Sequence, residues 1–248
     1  MPELSLLDEL FARGAHYGYS RRRRHPSVNP YLYGFKNRTA IIELEATLAA
    51  LARAQEFLKT IGQTRRPVIL VGTKPEARPA IAAAGQRLDL PYVVLRWIGG
   101  TLTNFSEIKK RLARLAQLKE QFAFGELAVH TKQERALFSK ELARLEHIFS
   151  TITGLETLPA ALIVVDSAAE KIAVSEARLL KIPVVALAGT DCDIRLVDYP
   201  IVVNDSSGQS IEWVIDKLAS AYENSRAAAT ASAELKTEIK TEPQTADD

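Results

Sequence analysis

Four short runs constrain the fold of this chain more than anything else in it: PVILVG at 67–72, YVVL at 92–95, ALIVVD at 161–166 and PVVALAG at 183–189. They are rich in Val and Ile and show no polar alternation, the pattern of strands covered on both faces. PIVVN at 200–204 follows the last of them after a short loop, and TAIIEL at 39–44 precedes the first and reads the same way. Helical periods lie between the runs. Leu44, Leu48, Leu51, Leu58 and Ile61 recur at helical spacing, with Gly62 as the stop. Ser167 and Glu170 have capping-box spacing ahead of KIAVSEARLLK, which runs into Pro183 and the next strand. Strands alternating with helices make βαβ units, so the expected class is α/β with a doubly wound parallel sheet.

One interval breaks that rhythm. Between the runs at 92–95 and 161–166 lie two long helical periods where one crossover helix would suffice. The first opens at Asn104, with Glu107 three residues on, and carries Ile108, Leu112, Leu115, Leu118 and Phe122. The second opens with a Thr131–Glu134 capping box and carries Phe138, Leu142, Leu145 and Phe149. AFGEL joins them, so the spacing predicts a projecting antiparallel hairpin with the narrow apolar seams of a coiled coil. The competing arrangement is two ordinary helices laid on the sheet. After Glu223 large apolar residues almost vanish, which reads as a weakly helical or disordered tail. The expected organisation is a basic segment over 1–38, an α/β domain over 39–104 and 150–223, an inserted hairpin over 105–149 and a flexible tail over 224–248.

Charge is informative here through its distribution, not its sum. The net charge is +2, from 32 Lys and Arg against 30 Asp and Glu, yet no carboxylate occurs between Arg13 and Arg38. Within that stretch Arg21, Arg22, Arg23 and Arg24 are consecutive. Adjacent guanidiniums repel, and the interleaved Tyr, Pro and Gly residues argue for an ordered segment that meets a nucleic acid. A solvated basic loop is the bland alternative; a membrane-surface role is disfavoured because the run is not part of an amphipathic helix. Cys192 is the single cysteine, so no internal disulfide forms and a reducing cytoplasm is the expected home. MPELSLLDELF lacks the basic start and continuous apolar core of a signal peptide, and no window reaches the roughly 18 apolar residues of a membrane span.

The remaining motifs carry less. RWIGGTLTN at 96–104 leaves the carboxyl end of a strand, where open α/β sheets bind ligands, and composition leaves open whether it binds or merely turns. VGTKPEARPAI at 71–81 imitates the mouth of a phosphate loop but lacks its glycines and spacing, so a tight turn with an exposed Lys74 is favoured. Asp166, Asp191, Asp193 and Asp198 cluster near strand ends and read equally as a magnesium site or as caps and loop acids. His16 and His25 are too isolated to suggest zinc, and no nucleophile–base motif is present. No catalytic residue, cofactor or metal is expected.

Taken in order, GAHYGYSRRRRHPSVNPYLYGFKNRTAIIELEAT, VGTKPEA, RWIGGTLTN, LPAALIVVDSAAEKIAVSEARLLKIPVVALAGT and VDYPIVVNDSSGQSI resemble the family of small-ribosomal-subunit protein two, from about Leu6 to Ala221. The resemblance implies a flavodoxin-like α/β domain with a coiled-coil hairpin, bound to small-subunit ribosomal RNA and without enzymatic activity. It implies small-subunit proteins as neighbours, protein S-one among them, no membrane and no homo-oligomer. The RNA-facing positions it implies are Arg21, Arg22, Arg23, Arg24, Asn29, Lys36, Asn37 and Arg38, with Arg96, Trp97, Thr101 and Asn104. Two departures stand out: Tyr19 replaces the second histidine of the usual His-Phe-Gly-His, and Gly189-Thr190-Asp191-Cys192-Asp193-Ile194 replaces Asp-Thr-Asn-x-Asp-Pro. The alternative is a flavodoxin-like phosphate- or nucleotide-binding enzyme or regulator that uses Lys74 and the aspartates.

Overall fold

The computed structural model describes residues 5–125 and 130–241, with side chains through residue 230. A short helix, α1 (Leu6–Ala12), leads into three strands, β1 (Tyr17–Ser20), β2 (Leu32–Lys36) and β3 (Thr39–Ile42). These form a small antiparallel sheet in the order β1-β3-β2. The run at 39–44 therefore does not belong with strands covered on both faces. In β3 only Ala40 and Ile42 are buried, while Thr39 and Ile41 are half-exposed, the alternation of a sheet with one covered face. Strands β1 and β2 escape a sequence reading because each is short, bears glycine and has an exposed side.

Helix α2 (Leu44–Gln63) leads to the central sheet: β4 (Val68–Val71), α3 (Arg78–Leu88) and β5 (Tyr92–Val93) come first. Two long helices follow, α4 (Phe105–Ala123) and α5 (Lys132–Phe149). The chain then returns through β6 (Ala161–Val165), α6 (Lys171–Leu179), β7 (Val184–Ala188), β8 (Tyr199–Val202) and α7 (Gly208–Thr241). All five strands are parallel, in the order β5-β4-β6-β7-β8. Counted in chain order the sheet runs second, first, third, fourth, fifth, the flavodoxin-like winding, with its topological switch between β4 and β6.

Successive strand residues enter opposite cores. Leu70, Ile163, Val165, Val185 and Leu187 pack with α2, α3 and α7, whereas Ile69, Val71, Leu162, Val164, Val184 and Ala186 pack with α6 and the segment holding Trp97 and Leu102. Both faces being covered is why these strands lack polar alternation. Gly62 does not end α2 but lies inside it, against α7; a Cβ there would come within 2.7 Å of the Tyr222 carbonyl oxygen. The Ser167–Glu170 box does not form. Asp166 instead accepts from the N–H groups of Ala168 and Ala169, and Glu170 turns its carboxylate to Thr73.

Helix α5 has its Thr131–Glu134 capping box, while Asn104 caps α4 without a side-chain hydrogen bond. The helices meet through Arg114 with Glu141 and Lys119 with Glu146 at 3.1 and 3.2 Å. A satellite cluster of Ile108, Leu115, Phe149 and Ile152 joins them, and Val93 packs against it. Residues 1–4, 126–129 and 242–248, which hold the start of the basic segment, part of the AFGEL connector and the end of the tail, lie outside the described residues. Helix α7 continues through much of the segment expected to be weakly helical or disordered.

Candidate nucleic-acid interface

Residues 17–42, which carry the arginine run, form an appendage of three short strands. Strands β2 and β3 are joined by a two-residue turn in which Asn37 and Arg38 both have positive φ, 49° and 66°, as a type I′ hairpin requires. The Arg21 N–H donates to the Arg38 carbonyl at 2.9 Å, tying the start of the arginine run to that turn. The appendage is pinned to the loop after β7: the Tyr19 N–H donates to Thr190 Oγ1 and the His25 N–H to the Thr190 carbonyl, both at 2.8 Å. Gly18 makes this approach possible, because a Cβ there would lie 2.5 Å from Thr190 Cγ2.

The four arginines have different surroundings. Arg23 donates from Nε and NH2 to Asp191 Oδ2 at 3.0 and 2.9 Å and lies over the Tyr19 ring at 4.2 Å. Arg24 donates to Asn29 Oδ1 and, like Arg21, stands beside the Phe35 ring, at 5.7 and 5.4 Å respectively. Arg22 is exposed and makes no ion pair or ring contact among the described residues. Lys36, Asn37 and Arg38 are exposed at the hairpin turn, and Asn29 is exposed in the short helical stretch before β2. Three of the four guanidiniums thus have partners, Arg21 and Arg24 at the shared Phe35 ring with Arg24 also on Asn29, and Arg23 on Asp191 and the Tyr19 ring.

The RWIGGTLTN loop is built around a residue that carries no motif. Glu176, on α6 and only 6% exposed, accepts at Oε1 from Trp97 Nε1 and the Gly100 N–H, at 3.2 and 2.7 Å. Its Oε2 accepts from the Leu102 and Thr103 N–H groups at 3.0 and 3.1 Å and from the Thr103 hydroxyl at 3.2 Å. Burial by itself would raise this carboxyl; the donors from Thr103, Gly100, Leu102 and Trp97 outweigh it and hold it below the usual range. Trp97 and Thr101 are 5% and 2% exposed, so both shape the loop from within. Arg96 and Asn104 are its exposed members among the four expected positions. The signal that could have found Glu176 is an acid beside Ala173, Val174 and Ala177, on the buried side of α6.

The appendage and the loop lie at the same carboxyl end of the sheet, the appendage pinned to the loop after β7 and the RWIGGTLTN loop following β5. Three strand spacings separate those strands, about 14 Å. Between them is the switch-point crevice, and it is filled. Lys74 Nζ donates to Asp166 Oδ2 at 2.6 Å, to Asp205 Oδ2 at 2.5 Å and to the Tyr19 hydroxyl at 3.2 Å. Burial opposes the ammonium, but hydrogen bonds and charge from the two aspartates hold Lys74 well above the usual lysine range. Thr73 gives both its N–H and hydroxyl to Glu170. Burial pushes the neighbouring Cys192 thiol up to about 12, far from a reactive thiolate. A phosphate entering here would face two buried carboxylates around a lysine already paired with them. Among the described residues no group of three His, Cys, Asp or Glu is placed to hold a metal, and no helix is long and apolar enough to cross a membrane.

Fold and site together define a flavodoxin-like α/β scaffold whose own side chains occupy the ligand crevice and whose exposed chemistry is basic and amide-rich. The family model described as Ribosomal protein S2 matches residues 10–225. Small ribosomal subunit protein uS2 of Mesoplasma florum is 40% identical over 232 residues, covering 94% of this chain and 87% of that protein. The uS2 proteins of Roseiflexus castenholzii and Chlorobaculum tepidum are 41% and 39% identical, over 86% and 88% of this chain and 81% and 88% of theirs. The chain belongs to the ribosomal protein S2 family.

Proposed function

We propose that this protein is a structural constituent of the small ribosomal subunit in the cytoplasm, without catalytic activity, that binds small-subunit ribosomal RNA. The appendage supplies Arg21, Arg22, Arg24, Lys36 and Arg38 for phosphates and Asn29 and Asn37 for sugars or base edges. Arg96 and Asn104 extend the contact, Trp97 and Thr101 hold the loop that carries them, and Arg23 orients its neighbours. Small-subunit proteins, protein S-one among them, are the neighbours in this reading, and the α4–α5 pair projects from the body as a coiled-coil hairpin. The observation that carries the reading is the arginine fan, exposed at Arg21, Arg22 and Arg23 and, among the described residues, paired with no carboxylate apart from the Asp191 partner of Arg23. The nucleotide-enzyme alternative is weakened by the pairing of Lys74 with Asp166 and Asp205.

The test is association with small subunits depleted of this protein, measured at several salt concentrations. Changing Arg21, Arg22 and Arg24 to Gln is expected to weaken binding and flatten the salt slope by about 0.7 to 0.9 per lost phosphate contact. Equal affinity and equal slope would make the run a solvated bystander.

A further inference from the structure

We propose that Tyr33 and Phe35, on the edge strand β2, form a stacking site for an unpaired nucleobase of RNA. The inference rests on the RNA-binding reading above and adds a ligand class, a single-stranded or bulged nucleotide, at residues to which that reading gives no role. Tyr33 is 77% exposed and Phe35 43%, in the midst of the basic appendage. Strand β2 is an edge in the order β1-β3-β2, so it has a neighbour on one side only among the described residues.

Local backbone geometry turns one ring outward. The register passes from Leu32 opposite Ile42 to Gly34 opposite Ile41, which leaves Tyr33 as the extra residue of a bulge without a cross-strand partner. Bulges re-aim side chains in this way and recur beside binding sites. Gly34 is the second clue. Its φ is not positive, so the bulge does not demand glycine, and an added Cβ would meet nothing within 4 Å. Glycine weakens a strand interior and is kept where something must come close to the backbone. Among the described residues none does so here, and the notch at Gly34 stands open.

Charge selects the occupant. The Arg21 and Arg24 guanidiniums stand 5.4 and 5.7 Å from the Phe35 ring, and Lys36 and Arg38 follow at the turn. Rings and guanidinium planes stack on bases, and the surrounding cations meet the phosphates on either side. A duplex keeps its bases stacked on one another, so only an unpaired one can lie on these rings.

The experiment titrates the full chain with a single-stranded RNA heptamer carrying 2-aminopurine at its centre, and with an RNA duplex of equal length. Fluorescence quenching is expected with the single strand. Tyr33→Ala, Phe35→Ala and Gly34→Val should each weaken single-strand binding about tenfold. Duplex affinity, salt slope and melting temperature should stay unchanged, because stacking is not ionic, the two rings are exposed and a Cβ added at Gly34 meets nothing within 4 Å. Tyr33→Phe, which keeps the ring, should bind like the wild type. No quenching, or variants equal to the wild type, overturns the site; so does an equal loss for duplex and single strand. If Phe35→Ala fails to fold, the exposed Tyr33 and the half-buried Gly34, where an added Cβ meets nothing within 4 Å, decide alone. Should depleted subunits still take up the wild type while the aminopurine signal is absent, the stacking site falls and the ribosomal reading stands.

Discussion

Arg23 and Asp191 separate two meanings of a basic cluster. Asp191 is the one carboxylate among the described residues that pairs with the arginine run, and its side chain is mostly buried while that of Arg23 is mostly exposed. If the run acted only as a sum of charges, neutralising Asp191 would strengthen binding to a polyanion. The geometry gives the opposite sign. Two hydrogen bonds to Asp191 and the Tyr19 ring beneath hold Arg23 in place, and Arg23 N–H donates to the Ser20 carbonyl, so the turn carrying Arg21 and Arg22 is braced from its middle. Asp191→Asn keeps the shape and removes the charge. Affinity for depleted small subunits is expected to fall several-fold, a modest loss because the ion pair is open to solvent on the Arg23 side. Tighter binding of this variant would mean that Arg23 is merely neutralised by Asp191, and the bracing role would be wrong.

The loop after β5 and helix α6 form one element pair coupled through Glu176. Five donors converge on its two oxygens, and a Gln can accept at only one of those positions while bringing an NH2 group against donors at the other. Glu176→Gln is expected to lower stability by about 2–3 kcal/mol, the scale of charge-assisted hydrogen bonds lost with donors left buried. The folded carboxyl lies below its ordinary value of 4.5, so its stabilisation is complete above that value and disappears as pH falls through the folded one. Near-ultraviolet circular dichroism, sensitive to Trp97, should therefore hold steady from neutral pH to about 4.5 and then change, with the variant already displaced at neutral pH. Identical melting and acid behaviour would leave the glycines and Leu102 as the loop's only support. This pairing also marks where sequence reading stops. The parallel strands were legible because both-face burial writes uninterrupted Val and Ile, and α5 was legible from its capping box. Glu176, Thr190 and Asp191 were not, because each acts on partners at least 73 residues away along the chain, which no local pattern encodes. Gly62 misled for the same reason: its role is set by α7, not by its own helix.

On the scale of the whole molecule, α4 and α5 supply little of the two cores that cover the sheet, Phe105 at the start of α4 being the residue that packs against one of them. Each face has its own core, and the long helices join through a satellite cluster that meets the sheet at Val93. Most of α5 is exposed or half-exposed, with Phe149 at its last position as its buried residue. This arrangement favours a pair that leans on the body at one end over helices that cover it. Replacing residues 110–146 with a short Gly/Ser linker tests this directly. It retains Ile108 and Phe149 at the junction and spans the 8–10 Å between neighbouring helix axes. The shortened protein is expected to remain soluble and to melt cooperatively within a few degrees of the full chain, because closing a loop of any such length costs little more than another. It should also keep its affinity for RNA, since the arginine fan and the loop around Glu176 lie outside the removed segment. A molten or insoluble product, read by loss of near-ultraviolet dichroism with far-ultraviolet signal retained, would show that the helices protect the sheet, and the projecting hairpin would have to be abandoned.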